Sequence, residues 1–127
     1  MRIASVDHFV LYVADVDASI AFYERALGMQ PVTFAGGRRA LGFGPNKINL
    51  HPSGREFAPH AANPARGAGD FCLLTDVPLE DVVAHLRDAG VAIEEGPVPR
   101  TGATGSIRSV YFRDPDGNLV EVSNAVR

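Results

Sequence analysis

The sequence carries one pattern twice, and this duplication constrains the fold more than any other feature. In the first half an apolar run follows His8, and the amphipathic stretch after it ends at Gly28. In the second half an apolar run follows Asp70, and an amphipathic stretch ends at Gly90 after the same interval. We therefore expect two copies of one supersecondary unit of the α+β class, each beginning with a strand and a helix.

The two amphipathic stretches are predicted to be helices. Apolar residues recur three or four positions apart, at Ile20, Tyr23 and Leu27 in the first and at Leu79, Val82, Val83 and Leu86 in the second. Asp15 and Asp17 precede the first, where acidic groups favour a helix N-terminus, and Asp76 and Pro78 precede the second. The glycine that follows each stretch is a common stop residue.

Three short strands are predicted after each helix. They cover residues 29–34, 39–43 and 47–50 in the first half, and residues 92–95, 109–113 and 119–123 in the second. Pro115 and Gly117 predict a tight hairpin turn over residues 114–118. The stretch 97–106 is rich in Pro, Gly and Thr and is predicted to be a loop.

A length of 127 residues fits one domain. We expect a first module over about residues 1–52, a linker over 53–69 and a second module over about 70–127. A half of roughly 60 residues is marginal by itself, so the two modules are expected to depend on each other.

Charge and cysteine content exclude several classes of protein. The formal net charge is −3 and no basic cluster is present, which argues against nucleic acid as a partner. The single Cys72 cannot form an intrachain disulfide, which fits a reducing compartment. We expect a cytoplasmic protein without membrane association, since no signal-like or membrane-length apolar segment is visible.

Alternation along the predicted strands separates polar from apolar faces. Lys47, Asn49 and His51 fall on one face of their strand, opposite Ile48 and Leu50. In the last strand Glu121 shares its face with Leu119 and Ser123, whereas Val120 and Val122 point the other way. The apolar faces belong under the helices, so the polar faces should meet a cavity or solvent.

Four potential metal ligands are assigned to matching places of the two halves. His8 and Asp70 open the first strands, and His51 and Glu121 lie on the last strands. Taken singly, a His at the start of a strand or a Glu at its edge is more often a surface or hydrogen-bonded residue than a metal ligand. Together they predict a pseudo-symmetric site for a divalent metal, and imidazole with carboxylate leaves Zn, Ni, Mn and Fe open. Cys72 is interpreted as a small buried apolar residue.

Several segments together carry a resemblance to a known family. They are His8 with its strand, residues 15–19, 21–23 and 27–29, and residues 111–118 followed by Glu121. In these segments, which span nearly the whole chain, the sequence resembles the vicinal oxygen chelate superfamily, which includes glyoxalase I, extradiol dioxygenases and fosfomycin- and bleomycin-resistance proteins. Residues 47–51, 72–75 and 121–124 resemble the glyoxalase domain-containing protein 5 subgroup most closely.

The resemblance implies two βαβββ modules with sheets curled around a central cavity and helices outside. It implies His8, His51, Asp70 and Glu121 as the metal ligands by position. Many members have His where this chain has Asp70, which weakens the extradiol dioxygenase interpretation. The implied chemistry is chelation of two adjacent substrate oxygens and stabilisation of an enolate or alkoxide. Glu121, or secondarily Asp70, would act as the catalytic base.

Five further residues are predicted to bind the small-molecule substrate: Lys47, Asn49, Arg100, Thr101 and Tyr111. The leading functional hypothesis is a metal-dependent lyase or isomerase. The alternatives are an extradiol-type dioxygenase and a metal-free binding or resistance protein. The resemblance also implies a homodimer.

Overall fold

The structure, a computed structural model, describes residues 1–127 and contains ten regular elements. In chain order these are β1 (His8–Val13), α1 (Val16–Leu27), β2 (Gln30–Phe34), β3 (Arg38–Phe43), β4 (Asn46–Pro52), β5 (Asp70–Leu74), α2 (Leu79–Asp88), β6 (Ile93–Thr101), β7 (Ser106–Arg113) and β8 (Leu119–Ala125). The chain divides into two compact units, Met1–Gly67 and Ala68–Arg127.

Each unit holds one four-stranded mixed sheet with the same connectivity. In the first unit the strand order is β1-β4-β3-β2, and in the second it is β5-β8-β7-β6. The first strand of each unit pairs in parallel with the last, and the other pairs are antiparallel. The predicted α+β class with two βαβββ modules is confirmed.

Helix α1 forms where the sequence predicted it. The Asp15 carboxylate accepts a hydrogen bond from the Ala18 backbone N–H at 3.0 Å and so caps the first turn. Gly28 ends the helix with φ of +67°, a conformation that glycine adopts without strain. The helix packs against β2, β3 and β4 and buries Ile20 and Tyr23.

Helix α2 is capped by a residue far away in the sequence. No side chain in its own first turn supplies a cap; instead Asn124 on β8 accepts a hydrogen bond from the Leu79 N–H at 2.8 Å. The Asn124 amide also donates to the carbonyls of Thr75 and Val77, at 2.9 and 2.8 Å. One side chain therefore satisfies three backbone groups of the turn between β5 and α2.

Strand β6 is longer than the sequence suggested. The stretch 97–106 was predicted as a loop, but β6 continues to Thr101 and β7 begins at Ser106, so only residues 102–105 connect them. Pro97 and Pro99 are tolerated because β6 is the edge strand of its sheet and needs no donor on its outer side. The pairing with β7 is irregular between Glu95 and Val98.

The hairpin between β7 and β8 forms as predicted, and Asp114 organises it. One carboxylate oxygen accepts from the N–H groups of Asp116 and Asn118, both at 2.9 Å, and the other accepts from the Asn118 amide at 2.7 Å. Asn118 in turn accepts from the Gly69 N–H at 2.8 Å. The turn thereby holds the start of β5.

The predicted apolar faces are buried in both units. Leu41, Ile48 and Leu50 are at most 2% exposed in the first unit, and Val110, Phe112, Val120 and Val122 are at most 4% exposed in the second. Neither helix is long and apolar enough to cross a membrane.

Candidate functional site

The strand register shows which positions of the two units correspond. His8 on β1 lies opposite Lys47 on β4, and Asp70 on β5 lies opposite Leu119 on β8. Two residues further along, the counterpart of Glu121 is therefore Asn49. The prediction that His51 and Glu121 occupy matching places is wrong. His8 and Asp70 are equivalent, so their partners Lys47 and Leu119 are equivalent too, and His51 lies two residues beyond Asn49 on β4.

Glu121 is held by hydrogen bonds from buried serines. Its Oε2 accepts a hydrogen bond from the Ser109 hydroxyl at 2.6 Å, and the Ser123 hydroxyl lies 3.4 Å away. Both serines are fully buried, whereas Glu121 itself is half-buried. The carboxylate is therefore held in one position while part of it stays open to solvent.

The neighbouring groups complete one continuous chain of hydrogen bonds. The Ser109 and Ser123 hydroxyls are 2.7 Å apart, and the Cys72 Sγ lies 3.2 Å from the Ser123 Oγ. Each hydroxyl has one hydrogen. With Ser109 donating to Glu121, Ser123 donates to Ser109 and the Cys72 thiol donates to Ser123. The chain ends at the Glu121 carboxylate, which needs no proton of its own.

The Cys72 side chain is exposed to solvent, although its thiol is partly covered, so the prediction that Cys72 is a buried apolar residue is wrong. Partial burial of the thiol raises the pKa of Cys72, and the negative charge of Glu121 raises it further. The Ser123 hydrogen bond opposes the shift. The group therefore stays a thiol, and not the reactive thiolate, at neutral pH.

Tyr111 and Arg100 lie beside this cluster. The Arg100 Nε donates to the Tyr111 hydroxyl at 2.9 Å, and an Arg100 Nη pairs with Glu95 at 3.1 Å. Burial raises the pKa of Tyr111, and the charge of Glu121 raises it further while Arg100 lowers it. Thr101 ends β6 in an exposed position. Of these predicted substrate residues, Tyr111 stands nearest to Glu121, directly opposite it in the strand register.

Asp70 lies on the same sheet face as Glu121 but one alternation away. It is exposed, and its strand neighbour Cys72 is the residue opposite Glu121. A separation of two residue steps corresponds to about 7 Å along the strands.

In the first unit, His8 is exposed and tied to its neighbour. The His8 Nδ1 lies 2.8 Å from the Asp7 carboxylate. A carboxylate only accepts, so Nδ1 carries the hydrogen, and in the neutral imidazole the lone pair of Nε2 is then available.

Lys47 and Asn49 extend the same face. The Lys47 ammonium sits 3.5 Å from the centroid of the Phe34 ring. The side-chain oxygen of Asn49 is buried and accepts no hydrogen bond. A buried oxygen without a donor is costly, which makes this atom a natural partner for a cation or a ligand hydrogen.

His51 occupies a different place. Four residue steps separate it from His8 in the β1–β4 register, roughly 13 Å along the strands. It is 7% exposed, its Nδ1 has no partner, and it packs edge-on against the rings of Tyr12 and Phe57. Burial lowers the pKa of His51, and the charge of Arg38 lowers it further.

No group of three or more His, Cys, Asp or Glu side chains in the chain is arranged to hold a metal ion. In the first unit His8 and His51 lie roughly 13 Å apart along the strands, and in the second unit Asp70 and Glu121 lie about 7 Å apart. A metal site therefore needs a donor of another type, such as the unpartnered Asn49 oxygen, or a contribution from another chain.

Sequence reasoning missed the two serines. Ser109 and Ser123 were treated as ordinary strand residues, although the alternation at 109, 111, 121 and 123 places them on the face of Glu121 and Tyr111. Their burial depends on the packing of the finished sheet, which alternation does not reveal.

The profile of the Glyoxalase/Bleomycin resistance protein/Dioxygenase superfamily matches residues 5–122 of this chain. The chain is 52% identical, over 99% of its length and 88% of the relative's, to the virulence protein STM3117 of Salmonella typhimurium. The crystal structure of that protein superposes with a TM-score of 0.98, covering 99% of this chain and 100% of the other at 52% identity.

Two more distant structures share the fold. Lactoylglutathione lyase from Agrobacterium tumefaciens is 28% identical, with a TM-score of 0.74 and coverage of 97% and 95% of the two chains. The fosfomycin resistance protein FosX from Listeria monocytogenes, solved with Mn(II) and sulfate, has a TM-score of 0.67 at 16% identity, covering 98% and 93%. That second likeness concerns the fold alone. The family profile covers nearly the whole chain, and a relative shares more than half of its residues. The chain therefore belongs to the Glyoxalase/Bleomycin resistance protein/Dioxygenase superfamily.

Proposed function

We propose that this protein is a metal-dependent, glyoxalase-like enzyme of the lyase or isomerase type that acts on a small molecule with two adjacent oxygens. The observation that carries the proposal is the Glu121 carboxylate, fixed through one oxygen by Ser109 at 2.6 Å and still partly open. A base held in position by a buried donor suits proton abstraction next to a carbonyl.

The donor set of the proposal comes from equivalent positions of the two modules. It consists of the His8 Nε2, the Asn49 side-chain oxygen, Asp70 and Glu121. Asn49 replaces His51, because the 13 Å step along the strands that separates His51 from His8 prevents both from reaching one ion at about 2 Å. Carboxylate and amide oxygens suit a hard ion such as Mn, and the imidazole suits Fe, Zn and Ni, so all four metals are compatible with this set of ligands.

The proposal includes a homodimer in which a second chain contributes to the set, since no three His, Cys, Asp or Glu side chains of one chain are grouped to hold an ion. The Asp7–His8 hydrogen bond at 2.8 Å supports His8 as a ligand, because a carboxylate on the far nitrogen fixes the ring and raises the basicity of the other nitrogen.

A bound cation would supply Lewis-acid stabilisation of the negative charge that develops on the substrate oxygens. The residues of the chain do the rest of the proposed chemistry. Glu121 takes the proton from the hydroxyl-bearing carbon beside the substrate carbonyl and returns it to the former carbonyl carbon. The hydroxyl proton moves to the former carbonyl oxygen at the same time, so the overall step is an isomerisation with no atom gained or lost. Arg100, braced by Tyr111 and Glu95, and Lys47 would bind an anionic part of the substrate.

Elemental analysis of protein purified without chelator tests the proposal. We expect about one divalent metal ion per site in the native protein, and loss of most of it in His8→Ala and Asn49→Ala. His85→Ala on α2 serves as the matched control and should retain the metal. Absence of metal in the native protein, with no uptake of Mn, Fe, Ni or Zn afterwards, would refute a metal enzyme and leave a metal-free binding protein.

Activity is followed as exchange of the proton next to the carbonyl of α-hydroxy ketones in D₂O by NMR. Glu121→Gln keeps the size of the side chain but removes its basicity, so it should abolish exchange. Exchange that persists in this variant would remove Glu121 from the proposed role.

A further inference from the structure

A pocket that none of the residues of the Glu121 cluster lines opens in the first unit. It lies where the carboxyl ends of β1 and β4 meet the first turn of α1 and has a volume of about 660 Å³. Pockets of a few hundred Å³ and more accommodate molecules of metabolite size. Three arginines line it, Arg38, Arg39 and Arg55, together with the aromatic ring of Phe57.

The two acidic residues of the lining are already engaged. Asp15 caps α1 by accepting from the Ala18 N–H at 3.0 Å, and Asp17 pairs with Arg39 at 3.1 Å. Neither Arg38 nor Arg55 makes a salt bridge to a carboxylate in this chain. The pocket therefore presents two guanidinium groups that form no salt bridge, in a lining that also holds the carboxylates of Asp15 and Asp17.

Arg38 is held in place by stacking and not by charge. Its guanidinium lies 4.6 Å from the centroid of the Phe57 ring, and Phe57 in turn packs edge-on against His51 with ring centroids 5.4 Å apart. Stacking leaves the hydrogen-bonding edge of a guanidinium free, so the planar fork remains available to an oxyanion. Phe57 is itself 37% exposed and offers an apolar surface beside that fork.

The buried side chain of His51 is a second indication that a polar ligand binds in this region. It is 93% buried behind Phe57, yet its Nδ1 has no hydrogen-bond partner. The Arg39 Nε, on a residue that lines the pocket, is likewise buried and unpartnered. Buried polar atoms without partners are uncommon in folded proteins and indicate missing ligands or water.

We infer that this pocket is an additional ligand site that binds a small organic anion, with a carboxylate or phosphate group held by Arg38 and Arg55 and an apolar body against Phe57. Arginine forks match both oxyanions in geometry, and hydrogen bonds to charged partners are the strong ones. The inference is independent of the proposed metal chemistry, since none of its residues belongs to the donor set.

The test is an NMR titration of the full-length, ¹⁵N-labelled protein at constant ionic strength. The probes are benzoate, phenyl phosphate and the neutral, equally sized benzamide. We expect saturable shifts at residues 14–17, 37–39 and 52–57 with one or both anions and none with benzamide. The ratio of the two anion affinities identifies which oxyanion the pocket prefers.

Arg38→Gln and Arg55→Gln should each weaken binding of the preferred anion about tenfold or more, because each removes charge-assisted hydrogen bonds. Arg87→Gln on α2 changes net charge equally and should leave the affinity unchanged. Spectra that overlay outside the pocket establish that each variant is folded, and Arg38→Lys should retain part of the affinity.

Equal shifts with benzamide, shifts that do not saturate, or an Arg87→Gln effect as large as that of Arg38→Gln would each overturn the inference. The last outcome would mean that the anions respond to net charge alone.

Discussion

Replacing Ser109 with alanine tests the hydrogen-bond chain at its centre. The hydroxyl is fully buried, donates to Glu121 at 2.6 Å and lies 2.7 Å from Ser123. A bond to a charged acceptor contributes about 1.5–3 kcal/mol and a neutral one about 1 kcal/mol. Because Glu121 is only half-buried, the lower end applies to the first bond.

Part of the loss should be recovered in the variant. The Ser123 hydroxyl lies 3.4 Å from the same Glu121 oxygen and is freed to turn toward it once Ser109 is gone. We therefore expect Ser109→Ala to lower the free energy of unfolding by about 1.5–2.5 kcal/mol. Urea denaturation at pH 7 and 25 °C, followed by circular dichroism, measures this quantity.

A double-mutant cycle separates the bond from general packing effects. Ser109→Ala and Glu121→Gln, alone and combined, should show a coupling energy of about 1 kcal/mol or more. Ser106→Ala, at the exposed start of the same strand, serves as the control and should change stability by less than about 0.5 kcal/mol. A coupling energy indistinguishable from zero would mean that Ser109 does not hold Glu121 and that Glu121 is not a positioned base.

Three further predictions concern other parts of the chain. Asp114→Ala removes three hydrogen bonds of the last hairpin and should lower the free energy of unfolding by about 3 kcal/mol in the same urea experiment, whereas an unchanged midpoint would contradict that role. Burial, and next the charge of Arg38, lowers the pKa of His51, so the unfolded chain binds this proton more readily than the folded one. The free energy of unfolding should therefore fall as the pH drops below about 6.5, and His51→Gln should make that fall less steep. An identical pH profile in the variant would contradict this. Burial, and then the charge of Glu121, raises the pKa of Cys72, so iodoacetamide should alkylate it more slowly than a free thiol at pH 8 and faster in Glu121→Gln, as followed by mass spectrometry.

Local signals in the sequence were sufficient for the helices and the hairpin. Asp15, Gly28 and the 114–118 turn act within a few residues of themselves, and each is found in its predicted role. The repeated order of elements likewise predicted two modules of one topology, because the spacing of apolar residues that indicates each helix or strand is read within that segment alone.

The extent of β6 required information that lies outside its own sequence. Two prolines normally argue against a strand, and they are accommodated here only because β6 is an edge whose outer side needs no donors. Strand order is a property of the whole sheet, so no local pattern around Pro97 and Pro99 reveals it.

The correspondence of site positions also depended on pairing. His51 was matched with Glu121 because each lies on the last strand of its half, but the position along that strand was not known. Only the parallel pairing of first and last strands identifies Asn49 as the counterpart of Glu121. An error of one alternation keeps the predicted face correct while it moves the side chain by about 7 Å.

The amide of Asn124 has a consequence for the order in which this protein is assembled during its synthesis. The turn before α2 and the first N–H of that helix depend on a side chain that the ribosome adds almost fifty positions later. The second module thus remains without its closing contacts until nearly all of it has been translated, whereas the Asp15 cap of α1 lies beside the turn it serves. A nascent chain that stalls before Asn124 should already contain the cap of α1 but lack that of α2, so the turn before α2 should be the more exposed of the two to proteases.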